Sequence, residues 1–328
     1  MNRMIGTLLA SRGLGTLVSP VTPVSGGFMH RMYRAETAQG SFAVKHLNPE
    51  VMKRPEAMGN FRRAETLERI LEDAGIPVVP ALILGGCKMQ ELEGEYFYIF
   101  RWHDGSITDW NSITREQCRL AGNIQGRIHA VQPARETGKQ PELSSVDWAR
   151  YIRQAENRHS ALTDLLNENL PLLNEAQEKL NRARLALPDL ECITDEDMDP
   201  KNVMWMNGRP AVIDLECLDY GNPVSHVLQL SLQWAGITIC SLDPDKQRVF
   251  LEGWLEAYDP GFRDFAGILG LAYTWIEWLE FNIRRALGQC RDEKERALGE
   301  QEVRNTVNRI RYLREMEHAI RQQLDGMF

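Results

Sequence analysis

The run Asp195-Glu196-Asp197-Met198-Asp199-Pro200-Lys201-Asn202 places acid after acid on one short segment. After a turn at Asn207-Gly208, the apolar stretch Ala211-Val212-Ile213 delivers a further acid, Asp214, followed by Leu215-Glu216. Phosphoryl transfer asks for groups of this kind: a carboxylate that orients or deprotonates an attacking hydroxyl, and hard oxygen ligands that hold Mg²⁺ against nucleotide phosphates. Asp197 and Asn202 on the loop, with Asp214 at the end of the next hairpin strand, supply them. No dedicated metal cage is needed, because phosphates and water complete the octahedron. An isolated acidic run is ordinarily a solvated loop, and what sets this one apart is the linked order of loop, turn and strand-terminal acid.

Upstream, Phe42-Ala43-Val44-Lys45 reads as a strand whose lysine can meet nucleotide phosphates, and Glu65 on the following helix is the expected ion-pair partner, with Glu68 as its rival. A lone strand lysine is usually a surface residue, so Lys45 draws its weight from its companions. Ser25-Gly26-Gly27 would let backbone amides approach phosphates, although neither GxGxxG nor GxxxxGK[ST] is present and a plain turn fits equally well. His30 and His129 read as packing or polar-cap residues and receive no role.

These groups need a scaffold. Residues 18–47 contain two β-prone stretches around a turn near Gln39-Gly40. Phe61, Ala64, Leu67, Leu71 and Ala74 then recur at helical spacing up to Gly75 and Pro77. The pieces VVPALILGG and EYFYIFRW complete a small antiparallel sheet with a single helix on it. Beyond His103-Asp104-Gly105 helical patterns dominate: Thr114 to Val131, Asn157 to Leu187, Ser225 to Trp234, Gln247 to Tyr258, Phe262 to Leu287, and a long charged helix carrying Val303, Val307, Ile310, Leu313, Met316 and Ile320. The fold class is α+β, with an N-terminal lobe over residues 1–103 and a helical C-terminal lobe over 104–328.

Composition bounds the partners. A hydrophobic share of 43% and a charged share of 26% over 328 residues belong to a chain that buries a core and not to a disordered one. The net charge of −8 would repel nucleic acid and anionic membranes as a whole-molecule field while leaving cationic ligands welcome. Six cysteines lie scattered, without a CxxC pair, which argues against a zinc site or a disulfide framework. With no apolar run long enough for a bilayer and no trusted cleavage pattern at the N-terminus, a cytoplasmic location is expected.

Taken together, these residues resemble the aminoglycoside phosphotransferase and choline kinase-like family, from about Ser25 to the segment WIEWLEFNIRRALG. The family's loop reads His-x-Asp-x-x-Pro-x-Asn or a close variant, and its strand motif Ile-Asp-Trp/Phe. The resemblance implies a bilobal protein kinase-like fold, ATP (or GTP) and Mg²⁺ as cofactors, and a small-molecule acceptor. It further implies Asp197 as catalytic base, Asn202 and Asp214 as magnesium ligands, Lys45 on the phosphates and Glu65 as its partner. Ser25, Gly26 and Gly27 fall where the nucleotide loop lies, and Phe100 to Trp102 where hinge backbone meets adenine. Asp195 stands where the family has its loop histidine, which buttresses the loop, and Leu215 replaces the usual aromatic.

The leading reading is a phosphotransferase acting on a hydroxyl of a small, cationic molecule such as an aminoglycoside-like antibiotic or an amino alcohol. The competing one is a nucleotide-binding pseudokinase in which the Asp195 change has made catalysis vestigial; the retained Lys45, Asp197, Asn202 and Asp214 speak against it. A protein kinase is disfavoured, since no Ala-Pro-Glu motif follows Asp214. Asp195, Asp199, Glu216 and Asp219, with Trp234, Trp275, Glu277, Trp278 and Glu280, are expected to form an acidic, aromatic-walled acceptor pocket suited to amines.

Overall fold

Strands β1 (Thr22–Val24), β2 (Arg31–Thr37) and β3 (Gly40–His46) alternate side chains across the pleat, and β4 (Gln90–Leu92) and β5 (Glu95–Arg101) extend them into one antiparallel sheet in the order β1-β2-β3-β5-β4. The link from β4 to β5 is a two-residue turn, Glu93-Gly94, with both residues left-handed at φ 54° and 78°, the backbone twist a tight hairpin favours. The computed structural model describes residues 1–24, 30–290 and 292–328, and Ser25, Gly26 and Gly27 lie outside the described residues.

Period-two alternation decides which face Lys45 serves. Phe42 and Val44 point to one side, where with Ala35, Phe97 and Ile99 they enclose Ile5, Leu8 and Leu9 of helix α1 (Asn2–Ser11). Lys45 therefore lies on the other side, opposite Tyr98 on β5. On that side Tyr98 packs with Leu47, Ala57, Phe61 and Ala81. Two of these, Ala57 and Phe61, come from helix α3 (Ala57–Asp73), which follows the single-turn helix α2 (Pro49–Met52). The sheet thus carries a helix on each face, where one had been expected. Each fully buried Leu or Ile of α1 adds roughly 1.5–3 kcal/mol of apolar burial.

The segment VVPALILGG forms no regular strand. Pro77 and Pro80 withhold two donors from any ladder, and the segment makes isolated contacts instead, Val79 N to Val212 O at 2.9 Å and Leu82 N to Ile99 O at 2.7 Å. A second, three-stranded sheet joins β6 (Ser106–Ile107), β8 (Val203–Met206) and β9 (Arg209–Val212), while β7 (Cys192–Asp195) leads into the acidic loop. Asn207-Gly208 closes the β8–β9 hairpin with φ of 51° and 77°, as its Asn-Gly sequence leads one to expect. By internal contacts residues 195–219, assigned from sequence to the second lobe, group with residues 1–108.

The other unit, residues 109–194 and 220–328, is helical. It contains α4 (Arg115–Ala130), α5 (Trp148–Asn157), α6 (Thr163–Leu185), α7 (Pro223–Trp234), α8 (Pro244–Ala257), α9 (Trp275–Ala286) and α10 (Glu293–Met327). The helix expected from Phe262 to Leu287 begins only at Trp275. Before it Gly270 lies so close to α6 that a Cβ there would sit 2.2 Å from the Lys179 carbonyl oxygen. Among the described residues no helix is long and apolar enough to cross a membrane.

Helices α4 and α8 touch backbone to backbone. A Cβ on Gly122 would lie 1.9 Å from the Phe250 carbonyl oxygen, and one on Gly253 would lie 2.2 Å from that of Arg119. Gly122→Ala is therefore expected to force the helices apart and cost at least about 2 kcal/mol. Gly59→Ala, on an exposed helical site with open space around it, should be neutral or stabilise by up to about 1 kcal/mol. Thermal melts of the two variants check this, and equal midpoints would contradict the close approach.

Candidate active site

Lys45 is 6% exposed, which an ammonium tolerates only with anionic partners. Its Nζ meets Asp214 Oδ1 at 2.5 Å and also pairs with Glu216 Oε2. Burial alone would lower the Lys45 pKa, yet Glu216 and Asp214 raise it above its ordinary value, so the lysine stays charged. Glu216 is gripped a second time. His30 Nδ1 accepts the Asn48 N–H at 2.9 Å, which leaves Nε2 as the donor facing Glu216 Oε1 at 3.0 Å. Although burial works against it, hydrogen bonds from His30 and the Lys45 charge hold the Glu216 carboxyl down at about 2.

Glu65 is not the partner of Lys45. It faces the same cleft, which Phe61, Tyr98, Phe100 and Leu215 also line, but its Oε1 accepts from Tyr98 Oη at 2.9 Å and Met89 N at 3.1 Å. Glu68 is occupied as well, by Ala81 N at 2.8 Å and Lys88 Nζ at 3.1 Å. The partners of Lys45 are instead the acids two residues apart after β9, Asp214 and Glu216.

The acidic loop is built around Asp197. Asn202 donates both amide hydrogens to it, to the main-chain oxygen at 2.8 Å and to Oδ2 at 2.9 Å, which leaves Asn202 Oδ1 on the other side of the carboxamide. Lys201 Nζ reaches Asp197 Oδ1 and Asp199 Oδ2, both at 2.7 Å. A 3₁₀ turn over Pro200–Asn202, capped by Asp199, gives the loop this shape. Ile213 N donates to Asn202 O at 2.9 Å and so registers the loop against the end of β9. Immediately after comes Asp214 at φ 62°, ψ 54°, a left-handed conformation that Asp tolerates better than most residues and that re-aims its carboxylate toward Lys45.

A family model described as the phosphotransferase enzyme family, APH, matches residues 20–268, some three quarters of the chain. The chain belongs to this phosphotransferase family. A search of curated proteins finds no match. Solved structures share its protein kinase-like fold at low identity. A spectinomycin phosphotransferase in complex with ADP and spectinomycin aligns with a TM-score of 0.67 at 15% identity, over 98% of this chain and 99% of that one. An amicoumacin kinase in complex with AMP-PNP, Ca²⁺ and its ligand aligns at 0.60 with 11% identity, over 92% of each chain. An ethanolamine kinase from Plasmodium vivax aligns at 0.58 with 13% identity, over 87% of this chain and 80% of that one.

Asp195, expected from the sequence to stand in for the loop histidine, is 1% exposed. Its Oδ1 accepts the Asp197 N–H at 3.1 Å, so it fastens the loop, while its buried Oδ2 has no hydrogen-bond partner among the described residues. Burial first, then the charges of Asp197, Asp214 and Asp199, push its pKa up to about 8 against the pull of the Asp197 N–H. A raised carboxyl pKa means that the folded protein keeps a proton the unfolded chain has released. Stability from this group is full below about pH 4 and is lost as pH rises through about 8, at about 1.4 kcal/mol per pH unit. Asp195→Asn cannot ionise and keeps an acceptor for Asp197 N, so its melting point should gain on the wild type steadily between about pH 5 and 8. A difference that does not change with pH would contradict a neutral Asp195.

The remaining expected residues divide. Phe100 pairs with Ala43 within the sheet, and the Trp102 N–H already donates to Ser41 O at 3.0 Å while its ring lies 4.4 Å under the Arg34 guanidinium. Asp219 is paired with Arg63 at 2.7 Å. Trp234 is fully buried against Phe250 and is core, not a pocket wall. Glu277 pairs with Arg184 at 2.8 Å, Glu280 accepts from Tyr151 Oη at 2.6 Å, and Trp275 lies under Arg309. Trp278 is 39% exposed and stacks on Phe281. Sequence reasoning missed His30, Lys201 and the partnership of Glu216 with Lys45. Only Glu216 left a signal, as an acid two residues beyond Asp214.

Proposed function

We propose that the protein transfers the γ-phosphate of ATP to a hydroxyl of a small, cationic molecule, with Asp197 as base, Lys45 on the nucleotide phosphates, and Asn202 and Asp214 as magnesium ligands. The observation that carries the reading is that Lys45, Asp214, Asn202 and Asp197 are brought into one hydrogen-bonded arrangement within a single structural unit. Among the described residues no group of three or more His, Cys, Asp or Glu is arranged to hold a metal ion. One carboxylate and one carboxamide oxygen fit a Mg²⁺ that brings phosphate and water ligands of its own. When bound, Mg²⁺ would supply charge neutralisation at the phosphates.

In this reading Asp197 accepts the proton of the acceptor hydroxyl as its oxygen bonds to the γ-phosphorus, and the bond from that phosphorus to the β,γ-bridging oxygen breaks. Lys45 remains protonated throughout and offsets the charge on the phosphates. Ser25-Gly26-Gly27 would contribute backbone donors and the backbone of Phe100 to Trp102 the adenine contacts, with Glu65 bordering the same cleft as Lys45. Spectinomycin and amicoumacin bound in related folds, together with the net charge of −8, support an amine-bearing acceptor. The described cysteines are all free thiols, in keeping with a cytoplasmic setting.

The test is ADP release with Mg²⁺ and ATP or GTP against aminoglycosides, spectinomycin, macrolides, choline, ethanolamine and hydroxylated amino acids. Acceptor-stimulated release supports the reading and names the acceptor class. Tight nucleotide binding with no stimulation by any acceptor would favour a nucleotide-binding protein without transfer activity.

A further inference from the structure

We propose that Lys201 is a positioning residue for the transfer reaction, holding the Asp197 carboxylate in its reactive orientation while Asp199 anchors the lysine. The inference rests on the reading of Asp197 as the base. The two oxygens of Asp197 are held by consecutive residues of one 3₁₀ turn: Oδ2 by Asn202 Nδ2 at 2.9 Å and Oδ1 by Lys201 Nζ at 2.7 Å. Asp199 closes the ring, for its Oδ2 accepts from Lys201 Nζ at 2.7 Å and its Oδ1 from the Lys201 main-chain N–H at 3.0 Å.

Charge makes this bridge necessary. Glu196, Asp197 and Asp199 crowd one loop beside the protonated Asp195, and Lys201 is the cation of that loop. A carboxylate beside like charges swings away from them unless a cation lies between, and the lysine sits between Asp197 and Asp199. The Lys201 side chain is about one-third exposed and that of Asp199 is 12% exposed, so the anchor is fixed in the protein, and two of the three ammonium N–H groups are taken up by the bridge. Lys45, the cation assigned to the nucleotide phosphates, is engaged with Asp214 and Glu216. The two lysines therefore divide the work: one serves the nucleotide, the other the base.

The experiment uses the full chain and the acceptor that gives the greatest ADP release, and compares Lys201→Met, Lys201→Arg and Asp199→Asn with the wild type. Misplacing a reacting group costs about 100-fold in rate, so Lys201→Met should lower kcat by about that factor. Its KM for ATP and its Mg²⁺-nucleotide affinity by calorimetry should stay at the wild-type values, while its melting point falls modestly because Asp199 loses its cation. Lys201→Arg should restore most of kcat, and Asp199→Asn should lower kcat in the same sense by a smaller factor. A Lys201→Met enzyme with wild-type kcat overturns the proposal, as does a loss matched by weaker nucleotide binding and not rescued by arginine. Should Lys201→Met fail to fold, Asp199→Asn decides alone: unchanged kcat overturns the proposal. A wild-type chain that turns over no acceptor overturns the reading of Asp197 itself, and the two failures are thereby told apart.

Discussion

Asp197→Asn is expected to lower kcat by about 10³-fold, within the range lost when a general base is removed. The substitution keeps the shape of the side chain and an oxygen for Lys201; it costs the Asn202 bond to Oδ2 but leaves the one to the main-chain oxygen, and the side chain is well exposed, so the fold should be unaffected. Nucleotide affinity should hardly change, because the phosphate and metal groups assigned here are Lys45, Asn202 and Asp214. The signature is therefore a kcat effect with KM for ATP unchanged, which identifies an interaction made in the transition state and not in the ground state. Steady-state ADP release alongside calorimetry of a non-hydrolysable ATP analogue checks it. Wild-type turnover would remove Asp197 from the mechanism.

For Asp214 the expected loss lies in binding. Asn is the informative replacement because it tolerates the left-handed backbone at φ 62°, where Ala would add strain that mimics a site defect. Asp214→Asn removes the only carboxylate assigned to the metal and one of the two anions on Lys45. Replacing groups one shell further out costs 10–100-fold in metal affinity at typical sites, so the loss here should be at least about 100-fold in Mg²⁺-nucleotide affinity. Nucleotide binding measured in EDTA should be nearly equal in the two proteins. An unchanged Mg²⁺ dependence would contradict the metal role.

Local patterning made much of this legible. Asn207-Gly208 between two β-prone runs marks a hairpin, and the β8–β9 hairpin is there; the apolar spacing of Phe61, Ala64, Leu67 and Leu71 marks α3. The order of such pieces together with the acid-rich loop carried the resemblance to the phosphotransferase family that the match over residues 20–268 shows. Side-chain pairing was harder to read, because it depends on the choice among nearby acids. Glu65 and Glu68 both point toward the sheet, but Tyr98, Met89, Ala81 and Lys88 satisfy them first. Lys45 turns instead to Asp214 and Glu216, which the left-handed step at Asp214 brings round, and no periodicity encodes that step. Likewise α1 was hidden by Arg12 and the glycines that follow it, although Ile5, Leu8 and Leu9 already stood at helical spacing.

The most direct test of phosphoryl transfer is the mass of the acceptor itself, followed by mass spectrometry during turnover with ATP labelled with oxygen-18 in the γ-phosphate. The expected result is an acceptor that gains one phosphoryl group carrying the label, at a rate equal to ADP formation, with the gain lost in Asp197→Asn. Accumulation of ADP and labelled inorganic phosphate while every acceptor keeps its original mass would contradict it.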